Sequence, residues 1–186
     1  HIDTTDIIRT IVGPGTIESS FEFAQGSQIQ MYQPLHMVMS NSGDFFVLEK
    51  LNASYPVGDR QVVRKISGDT LTVSTFAGMV FPGNGSLAPT VNEAPGKLYS
   101  PSAIANVPGD STHLFVAEYD LGVVNHLYLP SVLEERTLRT LIGHPFASQS
   151  VLLDSESVLA AHAPRIDRIK GLAMVQDGDA LSLFIS

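Results

Sequence analysis

Apolar residues alternate with small or polar ones over short stretches of this chain, and each stretch is broken by Gly, Pro, Asn or Asp, a pattern that predicts strands joined by tight turns. Strands are expected at about 35–40 (LHMVMS), 45–49 (FFVLE), 61–67 (QVVRKIS) and 71–77 (LTVSTFA). Asn41-Ser42-Gly43-Asp44 turns the first into the second, and Ser67-Gly68-Asp69-Thr70 turns the third into the fourth. The plan repeats at about 102–107 (SAIANV), 113–118 (HLFVAE), 123–129 (VVNHLYL) and 137–142 (TLRTLI), then begins again at about 171–175 (GLAMV) and 181–185 (LSLFI). Residues 7–12 (IIRTIV) read as the last strand of a unit lying before 35–77. The one helix-compatible stretch is 154–163 (DSESVLAAHA), capped by Asp154 or Ser155 and ended by Pro164.

Two phrases keep time with these strands. Thr10-Ile11-Val12-Gly13, Thr75-Phe76-Ala77-Gly78 and Thr140-Leu141-Ile142-Gly143 place their glycines 65 positions apart. After each comes a Gly-Asp and an apolar strand: Gly43-Asp44 with Phe45–Glu49, Gly109-Asp110 with Leu114–Glu118, and Gly178-Asp179 with Leu183–Ser186. Recurrence in the same order marks one supersecondary unit per repeat. Four antiparallel strands per unit make the blade of a β-propeller, so the expected fold is all-β. The expectation is one partial propeller domain over 1–186: a last strand at 7–12, a blade at 35–77, a blade at 102–142 and a half blade at 171–186. An inventory of one, four, four and two strands does not close a ring. It predicts exposed apolar flanks, and a segment of a longer propeller whose remainder, or another chain, completes it.

Composition narrows the function. A chain of 186 residues with 44% hydrophobic content is ordinary for one domain with a real core. No apolar run approaches the roughly 18–20 residues that span a bilayer, so no transmembrane segment is expected. The formal charge of −8 works against nucleic-acid binding, which draws on clustered Lys and Arg. The single basic cluster, Arg165, Arg168 and Lys170, contains Asp167 and is too short for a phosphate track. Absence of cysteine excludes disulfides, thiolate metal sites and a cysteine nucleophile. Two sequons, at Asn52 and Asn84, would accept glycans in a secreted chain and, with the non-methionine start at His1, favour an extracellular location.

The phrases resemble the NHL-repeat family of β-propellers. The second unit carries the resemblance best, through Thr75–Gly78, Pro101-Ser102-Ala103-Ile104-Ala105, Gly109-Asp110 and Phe115-Val116-Ala117-Glu118. The first carries it through Pro34, Gly43 and Val47-Leu48-Glu49, and the third more loosely, with Lys170 where the proline would stand. The asparagine and arginine usual in the family's third strand are partly present, in Val63-Arg64-Lys65-Ile66 and Val124-Asn125-His126-Leu127.

In a propeller of this plan, the connections at about 13–34, 79–100 and 144–170, with shorter ones at 50–60 and 119–122, emerge on one face. That face is the expected docking site for a protein or peptide partner. Glu49 and Glu118 stand at matching strand ends, with Asp120 close by. They read either as a recurrent rim carboxylate able to hold Ca²⁺ or a basic partner, or as caps on turn amides. The resemblance also implies an alternative, a metal-dependent propeller enzyme akin to a zinc-dependent peptide-amidating lyase or a calcium lactonase. The family's metal histidines come from inner positions of several blades. His36 is such a position, but Ala103 and Leu172 stand at the matching places. No catalytic residue and no resident cofactor is assigned on this reading.

Overall fold

Val, Ile, Phe and Thr at alternate positions favour extended backbone, which buries one row of side chains against each neighbouring layer. The computed structural model accordingly consists of strands and turns. It describes residues 10–13, 15, 17–18, 24–50, 61–78, 98, 100–110, 112–128, 137–143, 166, 168–178 and 180–186. The helix-compatible stretch at 154–163, both sequon asparagines and most of the long connections lie outside these residues.

Short strands β1 (Ile17–Glu18), β2 (Ala24–Gln25) and β3 (Ile29–Gln30), with a 3-10 turn at Gly26–Gln28, precede the first repeat. That repeat forms β4 (Gln33–Met39), β5 (Phe45–Lys50), β6 (Gln61–Ile66) and β7 (Thr72–Gly78). The second forms β8 (Pro101–Asn106), β9 (His113–Glu118), β10 (Val123–Tyr128) and β11 (Thr137–Ile142). The third forms β12 (Leu172–Asp177) and β13 (Ala180–Ile185). The ten strands expected between 35 and 185 are all present, and each is an antiparallel neighbour of the next within its repeat. No helix among the described residues is long and apolar enough to cross a membrane.

Two expectations change. The first sheet has five strands, in the order β2-β7-β6-β5-β4, because β2 pairs with the outer edge of β7 through Ala24–Val73 and Gln25–Thr72. The segment expected as a plain connection thus covers an edge that would otherwise present unpaired amides. Residues 11–12 are a bend, and 10–12 are not the end of a strand at 7–12, whose remaining residues 7–9 lie outside the described set. They turn across the start of the 3-10 segment, where the Gly13 N–H reaches the Gly26 carbonyl at 2.9 Å and Val12 joins a core of Ile29, Val47, Ile66 and Val73.

The two full repeats agree down to their irregularities. In β4 the register skips Leu35 between Pro34 and His36, and in β8 it skips Ser102 between Pro101 and Ala103. In β7 it skips Phe76 between Thr75 and Ala77, and in β11 it skips Leu141 between Thr140 and Ile142. The repeated Thr-x-x-Gly phrase is therefore a β-bulge, the device that re-aims a side chain locally. Its glycine is needed in the second repeat: Gly143 has φ +85°, and a Cβ there would lie 2.5 Å from the Gly122 carbonyl oxygen.

The sheets stack face to face, with β8 lying beside β4 on one side and β12 on the other. Phe46, Leu48, Val63 and Phe76 of the first sheet pack against Ile104, Leu114, Val116 and Leu127 of the second. The opposite face of the second, with Ala103, Ala105, Phe115 and Val124, packs against Leu172, Met174, Leu183 and Ile185 of the third.

This stacking corrects the register of the third repeat. Ile169, buried and bonded through its carbonyl to the Ser102 hydroxyl at 2.7 Å, takes the place of the proline that opens the inner strand. Gly171 and Ser186 exchange backbone bonds, and Ala103 and Ala117 are the register partners one sheet earlier. Leu172 then corresponds to Ile104 and Met37, and Gly171 is the third-repeat counterpart of His36. A one-residue slip reverses every side chain across a sheet, so the burial of Leu172 against the second sheet decides the matter.

Candidate functional site

At the loop-bearing end, each full repeat buries a polar bracket built across three strands. In the first sheet Glu49 and Arg64 are fully buried and ion-paired, with Arg64 Nε donating to Glu49 Oε2 at 3.2 Å. Arg64 also donates to the Thr75 hydroxyl, and Glu49 Oε1 accepts the Tyr32 backbone N–H at 2.9 Å. In the second sheet Asn125 Nδ2 donates to Glu118 Oε1 at 2.8 Å, and the Thr140 hydroxyl donates to Asn125 Oδ1 at 3.0 Å. Glu118 Oε2 accepts the Ser100 N–H at 2.9 Å.

Glu49 and Glu118 each accept a backbone amide, Tyr32 and Ser100 respectively. Neither side chain lies on the rim; both are inside, holding the amide that precedes an inner strand. Asp120, in the turn between β9 and β10, is exposed, and its own N–H is held by the Ser100 hydroxyl at 2.9 Å. His36 sits on β4, where its Nδ1 accepts the Ile104 N–H at 3.4 Å and its ring lines a cavity of about 350 Å³ with Ile104, Asn106 and Leu172. Ala103 and Gly171 occupy the corresponding positions of the other repeats. Among the described residues no three His, Asp or Glu side chains converge as a metal-binding group. Glu49, Glu118 and Asp120 lie at the loop-bearing end and His36 within β4, and the four form no metal-binding group among the described residues.

The hairpin end holds the aspartates of the repeated Gly-Asp phrase, with polar partners that the spacing does not reveal. Asp44 Oδ1 accepts the Gly68 N–H at 3.0 Å, and its Oδ2 pairs with Lys65 Nζ at 2.9 Å, tying the β4–β5 and β6–β7 turns together. Burial pushes this carboxyl upward, but the Gly68, Lys65 and Ser42 contacts outweigh it and leave the group below the usual aspartate value. In the second repeat Asp110 Oδ1 instead takes the Thr112 N–H and hydroxyl, each at 2.6 Å.

Beside it His113 Nδ1 and His126 Nε2 lie 2.8 Å apart, their rings parallel within 6°, with Phe115 stacked on His126 and Tyr128 against His113. Asp110 Oδ2 is 3.7 Å from His113 Nε2. Burial, then the neighbouring His113 and Arg139, hold His126 below the usual histidine value. The neutral ring is favoured in the fold, so the unfolded chain takes up the proton first. Stability is fully present above about pH 6.5 and declines as the pH falls from there towards the folded value. Urea melts at pH 7.5 and 5.5 are expected to show His126→Gln losing less on acidification than the wild type, by under about 1 kcal/mol because the ring is partly solvated. Equal losses in both proteins would count against the assignment.

The chain matches no protein-family model and no curated protein.

Proposed function

We propose that the chain is part of an NHL-type β-propeller and serves as a protein- or peptide-binding module through its loop-bearing end. The observation that carries this reading is the repeated buried bracket. In both full repeats a buried carboxylate holds the residue entering the inner strand, Tyr32 by Glu49 and Ser100 by Glu118, which fixes where the loops leave a rigid frame. Further support comes from the side-by-side inner strands β4, β8 and β12, an arrangement that a radial stack of blades requires. Glu49 and Glu118 are buried and hold backbone amides, so recognition falls to the exposed loop end, where Asp120 lies, and to the loops themselves.

Peptide selection on the immobilised chain provides the test. Selected peptides are expected to lose at least about tenfold in affinity, or roughly 1.4 kcal/mol, against Asp120→Lys at the loop end. They should bind unchanged to Asn41→Ala at the hairpin end. Absence of enriched peptides, or loss on the Asn41 variant alone, would overturn the reading.

A further inference from the structure

At the hairpin end, the second and third strands of each full repeat are tied by one diagonal pair of side chains. Counted back from Glu49 and Glu118, Asp44 and His113 are equivalent, and their carbonyls accept the equivalent turn N–H groups of Ser40 and Val107. Lys65, opposite Phe46, is equivalent to His126, opposite Phe115. In the first repeat the pair is an ion pair, with Lys65 Nζ 2.9 Å from Asp44 Oδ2. In the second it is two imidazoles, so the tie is kept while fixed charges give way to ring nitrogens with lone pairs.

The two rings lie edge to edge. Their planes agree within 6°, and the 5.0 Å between centroids exceeds the 2.8 Å between His113 Nδ1 and His126 Nε2 by about the width of a ring. The two nitrogens therefore point at each other, with one proton between them. Asp110 Oδ2, 3.7 Å from His113 Nε2, favours a proton on that nitrogen and leaves Nδ1 as the acceptor. The Thr112 N–H and hydroxyl fix this carboxylate in turn. Phe115 and Tyr128 pack on the rings, and both histidines are only half-buried, so the pair is held in place and reached from solvent. Arg139, opposite His126 on β11, is balanced by Asp110 on the other side of the pair.

We propose that this pair is a binding site for a soft monovalent cation of the copper(I) class, held in line between His113 Nδ1 and His126 Nε2. Two facing lone pairs are the donor set of a linear, two-coordinate ion, and imidazole suits copper. With metal–nitrogen bonds of roughly 2 Å the nitrogens must stand about 4 Å apart, an opening of about 1 Å that keeps each ring in its plane. The ion takes the place of the bridging proton, which passes to His126 Nδ1, so both rings stay neutral and nothing is oxidised or reduced. Zn²⁺ fits poorly: it prefers a tetrahedral set, and among the described residues no group of three His, Asp or Glu side chains offers one.

Silver(I), which shares the preference for two nitrogen donors in line, is the probe, titrated calorimetrically into the full chain in chloride-free buffer. Saturation at one equivalent is expected. Nitrogen NMR of the wild type should then show His113 Nδ1 and His126 Nε2 shifting together, and Zn²⁺ at the same concentration should leave both unmoved. His113→Gln and His126→Gln are each expected to weaken silver binding at least about tenfold. Absence of saturable binding, binding that leaves these two nitrogens unmoved, Zn²⁺ bound as tightly as silver, or undiminished affinity in the two variants would each overturn the site. The nitrogens are read in the wild type, so the outcome does not depend on a variant folding.

Discussion

Arg64→Leu is expected to lower the unfolding free energy by about 3–5 kcal/mol, the cost of stranding one half of a buried ion pair. Arg64 and Glu49 are both fully buried, so deleting the guanidinium leaves a buried carboxylate that still accepts the Tyr32 N–H but has lost its counter-charge. The Thr75 hydroxyl loses the Arg64 donor in the same step. Glu49→Leu combined with Arg64→Leu removes both charges and should recover a large part of the loss, because an apolar pair of similar bulk carries no desolvation penalty. The second repeat supplies the control. Asn125→Leu removes a neutral partner from Glu118 and is expected to cost about 1–3 kcal/mol. Urea denaturation of the four proteins at pH 7 separates these outcomes. A loss under about 1 kcal/mol for Arg64→Leu, or a double variant no better than the single, would mean that Glu49 is satisfied by other groups.

That bracket also marks how far the sequence could be read. The strands were legible because each sheet buries one row of side chains, which leaves a period of two in the chain. Thr75, Thr140 and their glycines were legible as a phrase, but not as a bulge: the extra residue, Phe76 or Leu141, keeps the phrase apolar while shifting the register behind it. Arg64 and Asn125 are visible in the sequence through a resemblance alone, and their bond to Glu49 and Glu118 requires knowing that two strands place them diagonally on one face. The third repeat reads one residue out of register because an isoleucine, Ile169, replaces the opening proline, which is the stronger marker. The edge strand β2 left no trace, since a two-residue pairing has no period. His113 and His126 are thirteen positions apart and meet only through the β9–β10 register, which pairs His126 with Phe115 and Tyr128 with His113.

Phe46→Ala should destabilise by about 3–5 kcal/mol, and the same change at Phe115 and Phe184 should cost progressively less. The three phenylalanines hold one structural position in successive sheets, so their side-chain chemistry is constant and only the covering layer differs. Phe46 is enclosed between a five-stranded and a four-stranded sheet and lies 4.6 Å, centroid to centroid, from Phe76 in a tilted pair. Truncation there removes the transfer contribution, leaves a cavity and loses the aromatic contact, itself worth about 0.5–1.5 kcal/mol. Phe115 faces the two-stranded third sheet with Ile169 beside it and keeps 9% of its surface in contact with solvent. Its loss is expected to be smaller by at least about 1 kcal/mol, as neighbouring groups and water can enter the space. Phe184 is 58% exposed, and its truncation should stay within about 0.5 kcal/mol. Melts at one low protein concentration would give the three values directly. Equal costs at Phe46 and Phe115 would show that the third sheet covers the second as fully as the second covers the first, and a costly Phe184→Ala would place a covering segment of the same chain over the outward face.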